Sequence, residues 1–458
     1  MSYPIFKSVY PFTQEVIAEY PLMANGVIDK AITNAAGIYK TWKNFGFSGR
    51  AGILRQVAVI LRRDQEILAA LITREMGKII SESKAEVEKC AMTAEYYADN
   101  AESFLKDEPL QSGYSRSFVA YQSIGVVLGI MPWNFPFWQV FRYAVPTLMA
   151  GNTTLLKHAP NVCGCALALE KVFIEAGAPV GVFTSLIVDT PSVEKILASN
   201  LVQAVTLTGS EKAGSSVASI AGRYIKKTVL ELGGSDALIV LPDANMKNAV
   251  SVALNSRMLN AGQSCIAAKR FIILEKAFDV FVYEFMILMK NLKQGDPFDK
   301  SVTTGPMARL DLVKKLEGQL KDSVDKGATL EWGGGIKGCN FEPAVLLNVK
   351  KGMPAFDEET FGPLAVFLSA KDEMEAISMA NDSSYGLSGS IWTNDVERGI
   401  SLAKQMETGA VFINTLVKSD PHLPFGGIKN SGYGRELGRH GILEFVNAKT
   451  IVADTSLL

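Results

Sequence analysis

Between Ile28 and about Leu105, apolar residues recur at intervals of three and four with charges between them, as in AITNAAGIYKTW and RAGILRQVAVILRRDQEILAALITREMGK. That spacing predicts amphipathic helices with one face on a core. Residues 111–122 alternate instead and are rich in Ser, Tyr and Val, the pattern of extended structure or a hairpin. From Ser123 onward, short β-branched runs (GVVLGIM, TTLLK, VFTSLIVD, AVTLT, KKTVLE) take turns with helical stretches. A second alternating region runs from Ala237 to about Ile413. Strand–helix alternation with short Gly/Pro connections predicts an α/β fold of two packed domains built on parallel sheets. Sheets of this kind bind ligands beyond the carboxyl ends of their strands, so the residues just after each strand carry the interest.

Composition narrows the function. The 458 residues balance 46 Lys+Arg against 47 Asp+Glu, without the cationic excess that sequence-independent nucleic-acid binding needs. No window supplies the roughly 20 apolar residues of a membrane span. The N-terminus MSYPIFKSVYPFTQ has neither an apolar signal core nor an Arg-rich transit helix, which reads as a soluble cytoplasmic protein. Five cysteines are too few and too scattered for a disulfide framework. Cys163 and Cys165 form a C-x-C, but with three histidines no metal-ligand spacing is completed, and both read as small buried residues.

The candidate chemistry lies after the strands. Cys265, in NAGQSCIAAKR, follows Gly262 and polar Asn260, Gln263 and Ser264; it is a nucleophile or a buried structural cysteine. Glu231 closes KKTVLE ahead of Gly233 and Gly234, placed as a general base or an interdomain ion-pair partner. Asn134, in PWNFP, is an oxyanion donor, a helix cap before Pro136, or both. Thr208-Gly209-Ser210 joins a strand to a helix without a G-x-G-x-x-G fingerprint, though such a helix start suits a pyrophosphate. Lys157 ends TTLLK, within reach of ribose or phosphate oxygens or simply solvated.

Together these segments are specific. PWNFP, LLKHAP, LTGS, LELGG, GQSC, EETFGP, NDSSYGLS and PFGGIKNSGYGRE, in this order, resemble the aldehyde dehydrogenase superfamily over essentially the whole chain. KHAPN and ELGGSD are most similar to the bacterial succinate-semialdehyde dehydrogenase branch. The resemblance implies oxidation of an aldehyde to an acid with NAD or NADP through a cysteine thiohemiacetal and thioester. It implies Cys265 as nucleophile, Asn134 with the Cys265 N–H as oxyanion hole, and Glu231 as the base for thioester hydrolysis. Trp133, Lys157, Pro160, Gly209, Ser210, Gly233, Glu359 and Phe361 fall at cofactor-binding positions, and Asn414 with PFGG at the mouth of the site. It further implies a discontinuous dinucleotide-binding domain (1–104 and 124–233), a catalytic domain (234–430) and an oligomerisation element (105–123 and 431–458) in a homodimer or homotetramer. A broader or different semialdehyde specificity is the alternative reading. A CoA-acylating relative usually lacks the deacylating Glu, and a non-catalytic protein tends to lose the nucleophile or the base.

The chain departs from the family pattern in three places. Where many NAD-specific members carry K-P-x-E, the run is Lys157-His158-Ala159-Pro160. An Arg found in some relatives six residues before the nucleophile is Leu259, and a second Cys two residues after it is Ala267. For the substrate, Asn134, Trp138 and Arg142 are spaced by four and share a face if the segment is helical. On that geometry Arg142 reaches a carboxylate about 6 Å from the oxyanion site, given roughly 12 Å of helix rise and an Arg that recovers half of it. Ser419 matches the usual hydroxyl partner. The alternative for Arg142 is a structural ion pair.

Overall fold

The computed structural model describes residues 4–456. Four helices, Asn25–Trp42, Gly46–Arg63, Gln65–Met76 and Ile80–Phe104, occupy the region of helical periodicity. The second buries Ala51, Leu54, Val57, Ala58 and Leu61, one stripe of its surface. The third ends at Gly77, in the left-handed conformation that stops a helix (φ 81°).

The first large sheet has six strands in the order Gly432–Tyr433, Lys227–Glu231, Val202–Thr208, Val126–Met131, Thr153–His158, Phe183–Ser185. All run parallel except Gly432–Tyr433, which lies antiparallel to Leu230 and Glu231. Chain order reverses between Val126–Met131 and Val202–Thr208, and a parallel sheet opens a crevice at such a switch point. The residues leaving these two strands are Pro132–Asn134 and Gly209–Ser210.

The chain crosses to the second sheet between Glu231 and Asp236. Seven strands follow there in the order Thr329–Trp332, Ala344–Leu347, Leu364–Ala370, Ala268–Leu274, Asp236–Val240, Ser388–Trp392, Ala410–Ile413. Only the first pairing is antiparallel. Central strands such as Ala268–Leu274 are buried along their whole length, as a sheet covered on both faces requires. A small sheet pairs Arg116–Ser123 with Val446–Ala453 on one side and Glu108–Pro109 on the other. The C-terminal tail therefore divides: Gly432–Tyr433 extends the first sheet, and only Val446–Ala453 joins the small one.

The crevice depends on tight packing beneath it. Gly129, in the strand Val126–Met131, faces the ring of Tyr143, and an added Cβ would overlap that ring. Tyr143 is buried and its hydroxyl accepts from Thr154 Oγ1 at 3.2 Å, so the ring has nowhere to retreat. Gly129→Ala is expected to cost about 2 kcal/mol by overpacking. Thermal unfolding monitored by circular dichroism should show a lower midpoint than wild type; an unchanged midpoint means that the ring can yield.

Candidate active site

The segment carrying Cys265 is bent by conformation and tethered by cations. After the helix Met246–Met258, Asn260 and Ala261 take left-handed backbone angles (φ 55° and 51°), and Gly262 follows at φ 73°. Only glycine fits the third position, because a Cβ there would overlap the Gly362 carbonyl. Arg257, fully buried, donates to the carbonyls of Gly262 (2.8 Å), Gly362 (2.6 Å), Thr360 (3.2 Å) and Ala268 (3.2 Å). Lys269 Nζ donates to the Ser264 carbonyl at 2.7 Å and to that of Cys265. Glu82 accepts the Asn260 N–H at 3.0 Å. These contacts leave Cys265 the most accessible of the five cysteines; the other four are buried.

Asn134 faces this segment. Its Nδ2 donates to the Gln263 carbonyl at 3.1 Å, and Asn260 Nδ2 donates to its own carbonyl at 2.7 Å. One amide hydrogen thus orients the group and the second remains for a reacting oxygen. His158 locks the loop from behind: Nδ1 accepts from Ala159 N at 2.9 Å, and Nε2 donates to the Pro136 carbonyl at 2.8 Å. Burial lowers the His158 pKa to about 4, so the ring is neutral. The following helix starts at Trp138, not at Asn134, and Asn134 caps nothing. Its first turn is satisfied by Glu86 Oε1, which accepts from the N–H groups of Phe137 (2.8 Å) and Trp138 (3.0 Å). The shared helical face therefore holds for Trp138 and Arg142 but not for Asn134, and the 12 Å rise does not apply.

Two cavities meet at Cys265. The first, about 780 Å³, is bounded by Trp133, Asn134, Gly209, Ser210, Gly233, Glu359 and Phe361 together with Lys315 and Gln319. Trp133 and Phe361 stand edge to face, 5.8 Å between centroids. Ser210 caps the helix Glu211–Arg223, accepting from Ala213 N at 3.3 Å, so free backbone N–H groups point toward the cavity end. Glu359 Oε1 accepts from Gly234 N at 3.0 Å, and a Cβ on Gly233 would press on its carboxylate. A dinucleotide fits this donor set: N–H groups for phosphates, a carboxylate for ribose hydroxyls, an aromatic pair for a ring. Lys157 and Pro160 do not bound the cavity. Lys157 is buried, with Nζ 3.4 Å from the His158 carbonyl, and Pro160 is exposed at the start of a short 3-10 turn.

The second cavity, about 770 Å³, opens on the other side of Cys265 and is bounded by Trp138, Arg142, Leu259, Ile266, Ser419 and Lys89, among others. Arg142 is the ion-pair partner of Glu436 (Nε to Oε2, 2.7 Å) and donates to Thr208 Oγ1 at 3.3 Å. Both members of that pair are almost fully buried. Glu231 packs nearby, against Gly426, and does not bound either cavity in this arrangement. Burial, with Glu436 adding to it, raises the Glu231 pKa well above the usual carboxylate range, and no hydrogen-bond partner for its oxygens exists among the described residues. Arg142 therefore neutralises Glu436, and Glu231 carries the proton. Asn414 is spent on Thr393, accepting from its N–H (3.0 Å) and donating to its carbonyl (2.7 Å), and it bounds neither cavity.

Arg257, Lys269, Glu86, Glu436 and Lys89 did not stand out in the sequence. The first two sit within eight residues of Cys265, Arg257 at the end of the preceding helix and Lys269 at the start of the following strand, and a charge opening the run KRFIIL was a signal. Lys89 lies in an ordinary amphipathic helix, and nothing local distinguishes it.

The whole arrangement has known counterparts. The aldehyde dehydrogenase family model matches residues 2–451, and the chain belongs to that family. It is 45% identical to a probable NADP(+) succinate-semialdehyde dehydrogenase of Synechocystis over 97% of this chain and 98% of that one. The crystal structure of succinic semialdehyde dehydrogenase from Streptococcus pyogenes with NADP+ is 39% identical, with a TM-score of 0.97 over 98% of this chain and 100% of that chain. A lactaldehyde dehydrogenase structure, 31% identical, reaches 0.95 over 99% and 96%, so substrate choice varies on this fold. The fold is accordingly the α/β aldehyde dehydrogenase type.

Burial pushes the Cys265 thiol up to about 11, against the lowering influence of Arg142 and Lys269. The free enzyme thus holds a thiol at neutral pH, and alkylation by iodoacetamide should accelerate about tenfold per pH unit from pH 7 to 10. Peptide mapping with a Cys265→Ala control checks the site. A rate independent of pH across this range would show a preformed thiolate.

Proposed function

We propose that the chain oxidises an ω-carboxylated aldehyde, succinate semialdehyde foremost, to the acid with NADP+ or NAD+. The observation that carries this reading is Cys265 standing where the cavity with a dinucleotide's donor set meets a second cavity bounded by Trp138, Arg142 and Ser419 among others. The NADP-dependent names of the relatives support the substrate and the cofactor.

In the proposed cycle, Cys265 Sγ loses its proton and bonds to the aldehyde carbon. The resulting oxyanion accepts hydrogen bonds from Asn134 Nδ2 and the Cys265 backbone N–H. When bound, the dinucleotide supplies the acceptor for the hydride that leaves this carbon. Glu231, once deprotonated and turned toward the thioester, takes a proton from water; hydroxide displaces Cys265 and the acid departs. Leu232 and Gly233, the next residues, bound the cofactor cavity, which sets Glu231 beside it in the chain. Trp133, Gly209, Ser210, Gly233, Glu359 and Phe361 hold the dinucleotide, and the family resemblance assigns Lys157 and Pro160, which lie outside that cavity, to its adenosine ribose end.

The chain is assigned to the cytoplasm on its five unpaired cysteines, and among the described residues no helix is long and apolar enough to cross a membrane. The small sheet ends in Val446–Ala453, an eight-residue strand with an exposed outer side, and pairing through it would build a homodimer or homotetramer.

A panel of aliphatic, aromatic and ω-carboxylated aldehydes with both cofactors tests the function. The expected order puts succinate semialdehyde first in kcat/KM, by at least about tenfold over butanal, which corresponds to about 1.4 kcal/mol. Equal rates for both would sink the carboxylate reading. Pro160 tests the cofactor assignment. A carboxylate at that position would repel a 2′-phosphate and bond a free ribose hydroxyl, whereas proline does neither. Pro160→Glu should therefore raise the NAD+/NADP+ preference about tenfold. An unmoved ratio would place reading of the 2′ group elsewhere.

A further inference from the structure

The second cavity holds one cation that no carboxylate neutralises. Lys89, on the helix Ile80–Phe104, is half-buried beside the cavity, and its Nζ donates to Ser419 Oγ at 3.1 Å. The same ammonium lies 4.0 Å from the centre of the Trp138 ring. Neighbouring cations are committed: Lys78 to Glu86, Arg142 to Glu436 at 2.7 Å, and Lys418 to Asp420 at 3.6 Å. Lys89 has no ion-pair partner among the described residues.

Ser419 completes the arrangement. Its Oγ accepts from Lys89 Nζ and also from Trp138 Nε1 at 2.9 Å. A hydroxyl has two lone pairs and one hydrogen, so with both lone pairs occupied its O–H is left to donate. An ammonium and a hydroxyl, both with hydrogens to give, suit a carboxylate oxygen pair. Phe135, Leu259, Ile266 and Val417 make much of the remaining wall apolar, and its two carboxylates have other partners, Glu82 the Asn260 N–H and Glu86 the Lys78 ammonium with the N–H groups of Phe137 and Trp138.

We propose that Lys89 is the specificity-determining residue of this cavity: its ammonium, with the Ser419 hydroxyl, anchors the carboxylate at the far end of the substrate. Arg142, already neutralised by Glu436, contributes a wall and hydrogen-bond donors rather than net charge. This rests on the ω-carboxylated reading above and names the group that enforces it.

Burial, and then the charge of Arg142, lowers the Lys89 pKa to about 8. The ammonium is charged below that pH and lost above it, so preference for a carboxylated substrate should fade as pH rises through 8. Glu82, which lines the same cavity and is raised by burial to about 7, titrates at the lower edge of this window, and Lys89→Met separates the two groups because any pH dependence left in that variant is not that of Lys89. The Cys90 thiol is pushed well above the window. The Asp420 carboxyl lies below its usual range, and Glu86 and Arg142 are ion-paired with Lys78 and Glu436.

The test compares kcat/KM for succinate semialdehyde with that for butanal, on wild type and on Lys89→Met and Lys89→Arg. The ratio is expected to fall at least about tenfold in Lys89→Met, through KM, and to recover most of that loss in Lys89→Arg. In wild type alone, the ratio should fall about tenfold between pH 7 and 9.5, a readout that needs no variant to fold. A wild type that prefers succinate semialdehyde, with a ratio indifferent to both pH and Lys89→Met, overturns the Lys89 assignment and leaves the function standing. A wild type with no preference at pH 7 overturns both.

Discussion

The site depends on keeping a strained, buried loop in one shape. Two consecutive non-glycine residues, Asn260 and Ala261, stand in left-handed conformations. Each costs about 1–2 kcal/mol. Arg257 offsets this with charged hydrogen bonds to the carbonyls of Gly262, Thr360 and Gly362, worth about 1.5–3 kcal/mol each. Because those carbonyls belong to two segments, one side chain fixes the Cys265 loop against the loop bearing Glu359 and Phe361. Nucleophile and cofactor wall are therefore set by the same bonds.

Burial decides the protonation pattern at rest. The Cys265 thiol is pushed up, His158 is held neutral, and Glu231 keeps a proton while Glu436 answers Arg142. A site assembled this way is electrically quiet before ligands enter. A thiol at rest is also a poor target for adventitious oxidation, since the thiolate is the reactive form. The uncompensated charge lies farther out, at Lys89, where it meets the end of a substrate rather than the reacting carbon.

The fold of this family accommodates different aldehydes because the parts separate. One cavity, with Ser210, Glu359 and the Trp133–Phe361 pair, is built from the strand ends of the two sheets. The other draws on helix surfaces and on the 416–419 segment, whose side chains can change without disturbing the sheets.

Much of this was legible in the chain itself. Helical periodicity before Leu105 and strand–helix alternation after Ser123 follow from local pattern, because burial on one face or on both imposes a period. Asn134 and Glu231 were findable because they lie at or just past strand ends and carry motifs, and Cys265 because GQSC sets a lone cysteine among Gly and polar residues. The helix start was misjudged: Asn134 and Pro136 look like a cap and a first turn, yet Glu86, some fifty residues earlier, supplies the cap at Trp138. Asn414 likewise resembled a mouth residue until its amide was seen to close on Thr393. Sequence alone determined which residues can do chemistry and which segments are helix or strand, since both depend on near neighbours. Tertiary structure alone decided that Arg142 is neutralised and that Lys89 has no ion-pair partner among the described residues, because a charge's partner is chosen by folding across hundreds of residues.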